Sequence, residues 1–203
     1  SLCKILTMGR ELSEQEIVRR ESLQKLQELG INPFPAEFFE VNVTAQGIKK
    51  NYEARKLDYK NINIAGRLMS RRIMGKAAFA ELQDSTGRIQ LYFNRDEVCP
   101  GEDKTMYNTV FKKLLDIGDF VGIKGHVFTT KVGEISIHVE EFKLLTKTLR
   151  PLPLPKVDAE GNVHDAFTDP EKRYRQRYVD LVVNPQVKDA FVKRTKLTNS
   201  MRE

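Results

Sequence analysis

Residues 77–95 read AAFAELQDSTGRIQLYFNR, and this stretch decides the fold because apolar side chains occupy every second position on each side of a short turn. Such alternation is typical of β-strands that bury one face. If Ser85 and Thr86 form a two-residue loop, Asp84 pairs with Gly87 and the strand register is fixed. The stretch therefore predicts a β-hairpin with one face in a hydrophobic core.

The opposite face of this hairpin carries aromatic and polar side chains. In the predicted register, Phe79 lies directly opposite Tyr92, and Gln90 faces Glu81 one step along the same face. An aromatic ring can stack on a nucleic-acid base for about 1–3 kcal/mol, and an amide carries both a donor and an acceptor that distinguish base edges. Alternation alone is equally compatible with an ordinary aromatic pair that stabilises the sheet beneath a covering helix.

Five segments of the chain read as strands, with a helical stretch between the third and the fourth. The predicted strands are Ile62–Ile73, Ala77–Asp84, Arg88–Arg95, Phe120–Thr130 and Glu134–Lys143, and the helical stretch is Met106–Leu115. Three strands, a helix and two further strands follow one another as in an OB-fold, a five-stranded Greek-key barrel. We therefore predict a mainly β fold with flanking helices, in which residues 61–148 form the barrel.

Helical segments are also predicted before the barrel, in residues 1–60. A capping box at Ser13 and Glu16 begins the first helix, and Gly30 ends it. The apolar stripe predicted to bury this helix consists of Ile17, Val18, Leu23, Leu26 and Leu29. A second helix is predicted after Thr44, and its cations form either a solvated face or a phosphate contact. These cations are Lys49, Lys50 and Arg55.

Beyond the barrel, the sequence predicts a proline-containing linker over residues 149–168. Two helices are predicted in residues 169–203, because Asp169-Pro170 and Asn184-Pro185 each place a cap residue before a proline. The pattern of the second helix is still running at Glu203, which indicates a fragment of a longer protein.

The composition favours a polyanionic partner. Among 203 residues, 34 Lys and Arg stand against 28 Asp and Glu, for a net charge of +6. No apolar run approaches the roughly 18 residues of a membrane span, so we expect no membrane partner. Cys3 and Cys99 form no motif and indicate a reducing, cytoplasmic location. The histidines lack zinc spacing, so no metal is predicted; they are His126, His138 and His164.

The loops beside the hairpin tilt the interpretation towards RNA. Loop 1–2 carries Arg71, Arg72 and Lys76, and loop 4–5 carries Lys131 and is followed by Glu134. OB-folds hold oligonucleotides with these two loops. An arginine there can bind phosphate or stack on a base, and a carboxylate can accept from a base amino or imino group. We therefore interpret the outer face of the barrel as a site for single-stranded RNA.

Five segments carry a family resemblance: RRIMGK at 71–76, LQD at 82–84, RIQLY at 88–92, RPLP at 150–153 and RYRQRYVDL at 173–181. They resemble segments of the bacterial-type lysyl-tRNA synthetases, class II enzymes related to the aspartyl and asparaginyl enzymes. The resemblance covers nearly the whole chain from Ser13 onward. It implies an amino-terminal anticodon-binding domain, with the anticodon loop of lysine tRNA as its partner.

The resemblance also implies roles for individual residues. Phe79 is similar to the ring that stacks on the central anticodon uridine, and Gln90 to the residue that reads its edge. Arg72 matches the arginine that supports the same base, and Glu134 the acid that contacts the third anticodon base. Four further residues complete the predicted RNA site: Arg71, Lys76, Tyr92 and Lys131.

The family implies an enzyme as the full-length parent, a lysine–tRNA ligase that uses ATP and Mg²⁺, releases AMP and acts as a homodimer. Only the opening helix of the first class II motif matches here, at Asn184–Glu203, and the second and third motifs are absent. We therefore expect no catalytic residue, no cofactor and no activity in these 203 residues, and weak or absent dimerisation.

Three other functions stay open from the sequence. The barrel and its basic loops would also suit a general single-stranded nucleic-acid-binding module. An aspartyl- or asparaginyl-type anticodon domain would share the ring and the amide. A structural role, in which Asp169–Glu203 mediates dimerisation and the barrel is a spacer, is the third.

Overall fold

A computed structural model describes residues 11–157, 163–164 and 167–202. The expectations for Cys3 and residues 1–10, for part of the linker and for Glu203 lie outside the described residues. The chain divides into two compact units, Ser1–Pro151 and Leu152–Glu203. The first unit contains a barrel and the helices packed on it, and the second is mainly helical.

Five strands close into a barrel in the order β1-β2-β3-β5-β4. The strands are β1 (Ile62–Met74), β2 (Ala77–Gln83), β3 (Arg88–Asn94), β4 (Phe120–Thr129) and β5 (Ile135–Thr146). All neighbouring pairs are antiparallel except β3 and β5, which run parallel and complete the closure. The predicted fold class is confirmed, and each predicted strand overlaps an observed strand with ends that differ by at most three residues.

The barrel interior is built from the alternating apolar positions of its strands. In β2 and β3 every second side chain is buried, as expected for strands with one face in a core. The buried side chains of this hairpin are Ala78, Ala80, Leu82, Ile89, Leu91 and Phe93. At Gly125 the β4–β5 register shifts, and a Cβ there would lie 1.9 Å from the His138 carbonyl oxygen, so the bulge requires glycine.

The helical stretch between β3 and β4 forms a short helix, α3 (Arg95–Val98), and a π-helix, Met106–Leu114. The π-helix buries Tyr107, Val110 and Phe111 against the barrel, with the rings of Phe93 and Phe111 stacked at 4.1 Å between centroids. Its apolar side therefore extends the barrel core on the side away from the outer face of the hairpin strands.

The first helix, α1 (Glu14–Glu28), begins with the predicted capping box at Ser13. The predicted apolar stripe is wrong, however, because Ile17 and Val18 are 45% and 54% exposed and Leu26 alone among its members is fully buried. The buried face instead consists of Glu16, Arg19, Ser22 and Leu26. The sequence pattern missed this face because it is mostly polar, and polar side chains are buried only where the folded chain provides hydrogen-bond partners.

Arg19 explains why α1 turns a polar side inward. Its guanidinium donates to the carbonyl oxygens of Ile117 and Thr148, each at 2.9 Å, in the loop before β4 and in the segment after β5. Beside it, Lys147 Nζ lies 2.8 Å from Asp119 Oδ2, and both side chains are fully buried. These bonds satisfy the polar groups at this end of the barrel and fix α1 upon it.

The second helix, α2 (Ala45–Asn51), is capped by Thr44, whose hydroxyl accepts from Gly47 N at 3.2 Å. A short 3₁₀ helix, Lys56–Tyr59, follows and leads into β1. Asp84 in the hairpin turn accepts from Ala45 N at 2.7 Å, so the start of α2 is tied directly to the turn.

The second unit contains a short antiparallel pair, β6 (Lys156–Val157) and β7 (Val163–His164), and three helices. These are α4 (Pro170–Arg175), α5 (Arg177–Val183) and α6 (Pro185–Ser200), where the sequence predicted two. The extra break lies at Gln176, which leaves the helical region at φ −116° and ψ 54°. Buried Asp180 holds both sides of the break, accepting from Arg173 at 3.0 Å and from Arg177.

Candidate nucleic-acid interface

The hairpin register expected from the turn is confirmed in the structure. Phe79 pairs with Tyr92, and Glu81 pairs with Gln90. The rings of Phe79 and Tyr92 are 5.3 Å apart between centroids and inclined at 52°. Neither ring is covered by α1, which packs against the π-helix side of the barrel. The aromatic pair therefore lines an open surface, and the interpretation of a pair covered by the first helix does not apply.

The turn that sets this register is held by Asp84. Its carboxylate accepts from Ala45 N, from the Thr86 amide and hydroxyl, and from Gly87 N, at 2.6 to 2.9 Å. Burial alone would raise the pKa of Asp84, but these hydrogen bonds outweigh it and hold the pKa below its ordinary value. The ionised carboxylate thus fixes both the turn and the start of α2.

The outer face of the hairpin forms one wall of an open cleft with a volume of about 840 Å³. Its other walls come from β1, the end of β4, the β4–β5 loop and α2. Six of the eight residues predicted for the RNA site line this cleft: Arg72, Phe79, Gln90, Tyr92, Lys131 and Glu134. Residues far apart in the sequence are thus brought to one concave surface.

Arg71 and Lys76 do not line the cleft, although both belong to the β1–β2 region. Arg71 points to the opposite side, where its guanidinium donates to the carbonyl oxygens of Phe111 and, at 3.0 Å, of Leu115. Burial in this position lowers the pKa of Arg71 from its ordinary value. The strand alternation places Arg72 on the cleft side instead, opposite Phe79 in the β1–β2 register.

Glu134 is positioned by the tight loop between β4 and β5. Its amide donates to Thr130 Oγ1 at 3.0 Å, and Thr130 N donates to the Glu134 carbonyl at 2.9 Å. Gly133 adopts φ +87°, a conformation that other residues rarely tolerate. The loop thereby presents the half-exposed Glu134 carboxylate at the rim of the cleft.

Lys49 and Phe128 also line the cleft, and of these two the sequence analysis missed Phe128. Lys49 of α2, one of the cations expected to form either a solvated face or a phosphate contact, lies at the rim with its Nζ 3.8 Å from the Glu134 carboxylate. Phe128 of β4 lies 5.9 Å from Tyr92 between ring centroids. Its outward position in β4, two residues after His126, is a signal that strand alternation could have provided.

Two histidine rings lie next to the aromatic rings of the cleft. His138 lies 5.0 Å from Tyr92 and 4.9 Å from His126 between ring centroids. Within residues 11–157, 163–164 and 167–202, no group of three or more His, Cys, Asp or Glu could hold a metal ion. None of the helices in the same ranges is long and apolar enough to cross a membrane.

Residues 62–145, which include nearly the whole barrel, match the tRNA anti-codon family, described as an OB-fold nucleic acid binding domain. The barrel is an OB-fold. Its open cleft lies on the hairpin strands, between the end of β1 and the β4–β5 loop, on the face where OB-folds bind oligonucleotides.

Beyond the OB-fold, nearly the whole chain is similar to lysine–tRNA ligases. It is 65% identical over 192 residues to the lysine–tRNA ligase of Christiangramia forsetii and 60% identical over 193 residues to that of Porphyromonas gingivalis strain W83. Each alignment covers 95% of this chain and 33% of the relative. The resemblance expected from the sequence is confirmed, and the chain spans about a third of the length of these curated relatives.

Proposed function

We propose that the OB-fold binds the anticodon loop of lysine tRNA in the cleft lined by Phe79, Gln90 and Glu134. The observation that carries this proposal is that the cleft brings together a pair of rings, an amide and charged loop residues. Rings stack on bases, amides and carboxylates read base edges, and arginine binds phosphate or supports a base. The match to an anticodon family supports tRNA as the ligand, and the similarity to lysine–tRNA ligases supports lysine tRNA in particular.

In this proposal, each side chain of the cleft has a separate task. The ring of Phe79 stacks on the central anticodon uridine, and the amide of Gln90 hydrogen-bonds its edge. Arg72, opposite Phe79 on β1, supports the same base. Glu134, held by its loop, contacts the third anticodon base.

The charges of the cleft favour a polyanion. Glu81 and Arg88 neutralise one another at 3.1 Å, and Lys49 offsets Glu134. In the described part of the chain, Arg72 and Lys131 have no acidic partner, so Arg72 is available to support the base and Lys131 to bind a phosphate. Tyr92 adds a second ring beside Phe79.

For a protein with the full length of these relatives, we propose the activity of a lysine–tRNA ligase. ATP and Mg²⁺ would serve the activation of lysine in parts of the relatives beyond the matched third. Anticodon binding would contribute recognition energy remote from the reacting groups. A homodimer and a cytoplasmic location belong to the same proposal.

The test is binding of the 203-residue chain to two anticodon stem-loops of lysine tRNA at matched salt. One stem-loop carries the central uridine, and the other carries a different base at that position. We expect the uridine stem-loop to bind about 5- to 150-fold more tightly, since a base-specific contact contributes about 1–3 kcal/mol. Equal affinities would contradict anticodon recognition and favour a general single-strand binder.

A further inference from the structure

Gln90 has a buried partner that neither the sequence patterns nor the comparisons single out. Ser136 on β5 lies opposite Gln90 in the parallel β3–β5 pair. The Ser136 hydroxyl donates to Gln90 Oε1 at 2.7 Å. Ser136 is fully buried, so water does not compete for this hydrogen bond.

The alternative acceptor for the same hydroxyl is weaker. The Glu134 carbonyl oxygen lies 3.4 Å from Ser136 Oγ, at the limit of hydrogen bonding. A hydroxyl has a single hydrogen, and the shorter contact to Gln90 takes it. If the amide rotated by 180°, Ser136 Oγ would accept from the Gln90 amino group, and its own hydrogen would have to turn to the Glu134 carbonyl oxygen over the longer distance. A separation of 2.7 Å is the usual length of an O–H···O hydrogen bond and is short for an N–H···O bond, so the geometry favours the amide with Oε1 towards Ser136.

This orientation decides what Gln90 offers to the cleft. With Oε1 engaged by Ser136, the Nε2 amino group has no partner within the described part of the chain. An amino group donates and does not accept, so it matches a keto oxygen such as that of uracil. Cytosine carries an exocyclic amino group at the same ring position, and two amino groups facing one another are both donors and cannot form a hydrogen bond.

We infer that Ser136 is a positioning residue that fixes the Gln90 amide with its amino group towards the cleft and thereby selects uracil over cytosine. The inference rests on the proposed anticodon function. It adds to that function the hydrogen-bond polarity of the reading group and the residue that sets it. Ser136 itself does not touch the base.

The test compares binding of the uridine stem-loop with that of the same stem-loop carrying cytidine at the central position. Ser136→Ala frees the amide to rotate, so we expect the uracil-to-cytosine affinity ratio to fall about two- to fivefold, at most the effect of one neutral hydrogen bond. Ser136→Thr keeps the hydroxyl and should retain the ratio. Ser200→Ala, on the exposed end of α6, is the matched control and should also retain it.

Gln90→Glu provides a second test, in case the Ser136→Ala chain does not fold. A carboxylate that still accepts from Ser136 presents an acceptor to the cleft, so the preference should reverse in favour of cytosine. An unchanged ratio in folded Ser136→Ala, or a retained uracil preference in Gln90→Glu, overturns the inference alone. If the unmodified chain shows no uracil preference, the proposed function and this inference fail together.

Discussion

Phe79 and Gln90 should contribute to binding in different ways, because a ring stacks on any base whereas an amide distinguishes base edges. Phe79→Ala is expected to weaken the binding of every single-stranded RNA by about 1–3 kcal/mol, whatever its central base. Gln90→Ala should leave the overall affinity closer to that of the unmodified chain and remove the preference for uridine. Fluorescence titration with the two stem-loops separates these effects.

Phe38→Ala is the matched control for Phe79→Ala. Phe38 is 91% exposed and does not line the cleft, so its loss should leave RNA affinity unchanged. A similar loss of affinity in both variants would mean that the Phe79 ring has no specific place in binding. A selective loss at one base in Phe79→Ala would mean that the ring reads sequence.

At the scale of elements, the hairpin and α1 show what a sequence pattern can and cannot predict. The hairpin was predictable in register because a two-residue turn and a two-residue period fix every cross-strand pair. The buried face of α1 was not predictable. Arg19 is held on this face by hydrogen bonds to the carbonyl oxygens of Ile117 and Thr148, which lie far along the chain. Local periodicity carries no information about such distant acceptors.

Arg19→Met should therefore destabilise the first unit more than changes in the exposed apolar residues of α1. Loss of the guanidinium leaves two carbonyl oxygens without their donor, an expected loss of about 2–3 kcal/mol in the free energy of unfolding. Ile17→Ser, at a position 45% exposed, should change stability by about 0.5 kcal/mol or less. Urea denaturation, monitored by circular dichroism, measures both losses of stability. A larger loss in Ile17→Ser than in Arg19→Met would mean that the apolar stripe is the packing face of α1.

The turn that joins β2 and β3 should be sensitive to acid through Asp84. Its pKa is lowered in the folded chain, so its stabilisation is present above the ordinary pKa of about 3.8 and is lost as pH falls through the lower folded value. Asp84→Asn places an amino group against one of the donors and should lower stability at pH 7 by about 1–2 kcal/mol. The variant should also lose less stability than the unmodified chain between pH 5 and pH 3.

Asp58→Asn is the control for this change of charge, since Asp58 lies exposed in the 3₁₀ helix away from the turn. Its unfolding free energy should follow that of the unmodified chain at each pH. If Asp84→Asn and the unmodified chain lose equal stability on acidification, the turn carboxylate does not carry the acid sensitivity.

At the scale of the whole molecule, the sequence predicted the barrel and most of the cleft for a physical reason. Strand order and alternation determine which residues share a face, and the closed barrel brings the end of β1 and the β4–β5 loop to the same face. Phe128 escaped prediction, and the role of Lys49 stayed open between a solvated face and a phosphate contact, because their places depend on how α2 and β4 pack around that face. The break at Gln176 escaped for a similar reason, since Asp180 organises it from a later turn.

The central claim is that the cleft of the OB-fold holds the anticodon, and amide chemical-shift mapping tests it most directly. The ¹⁵N-labelled chain is titrated with the uridine anticodon stem-loop at constant salt. We predict that the largest shifts fall at Phe79, Gln90 and Glu134, around the cleft, and that Arg71 and residues 170–200 change little. Largest shifts in residues 170–200, with the cleft unaffected, would contradict the account.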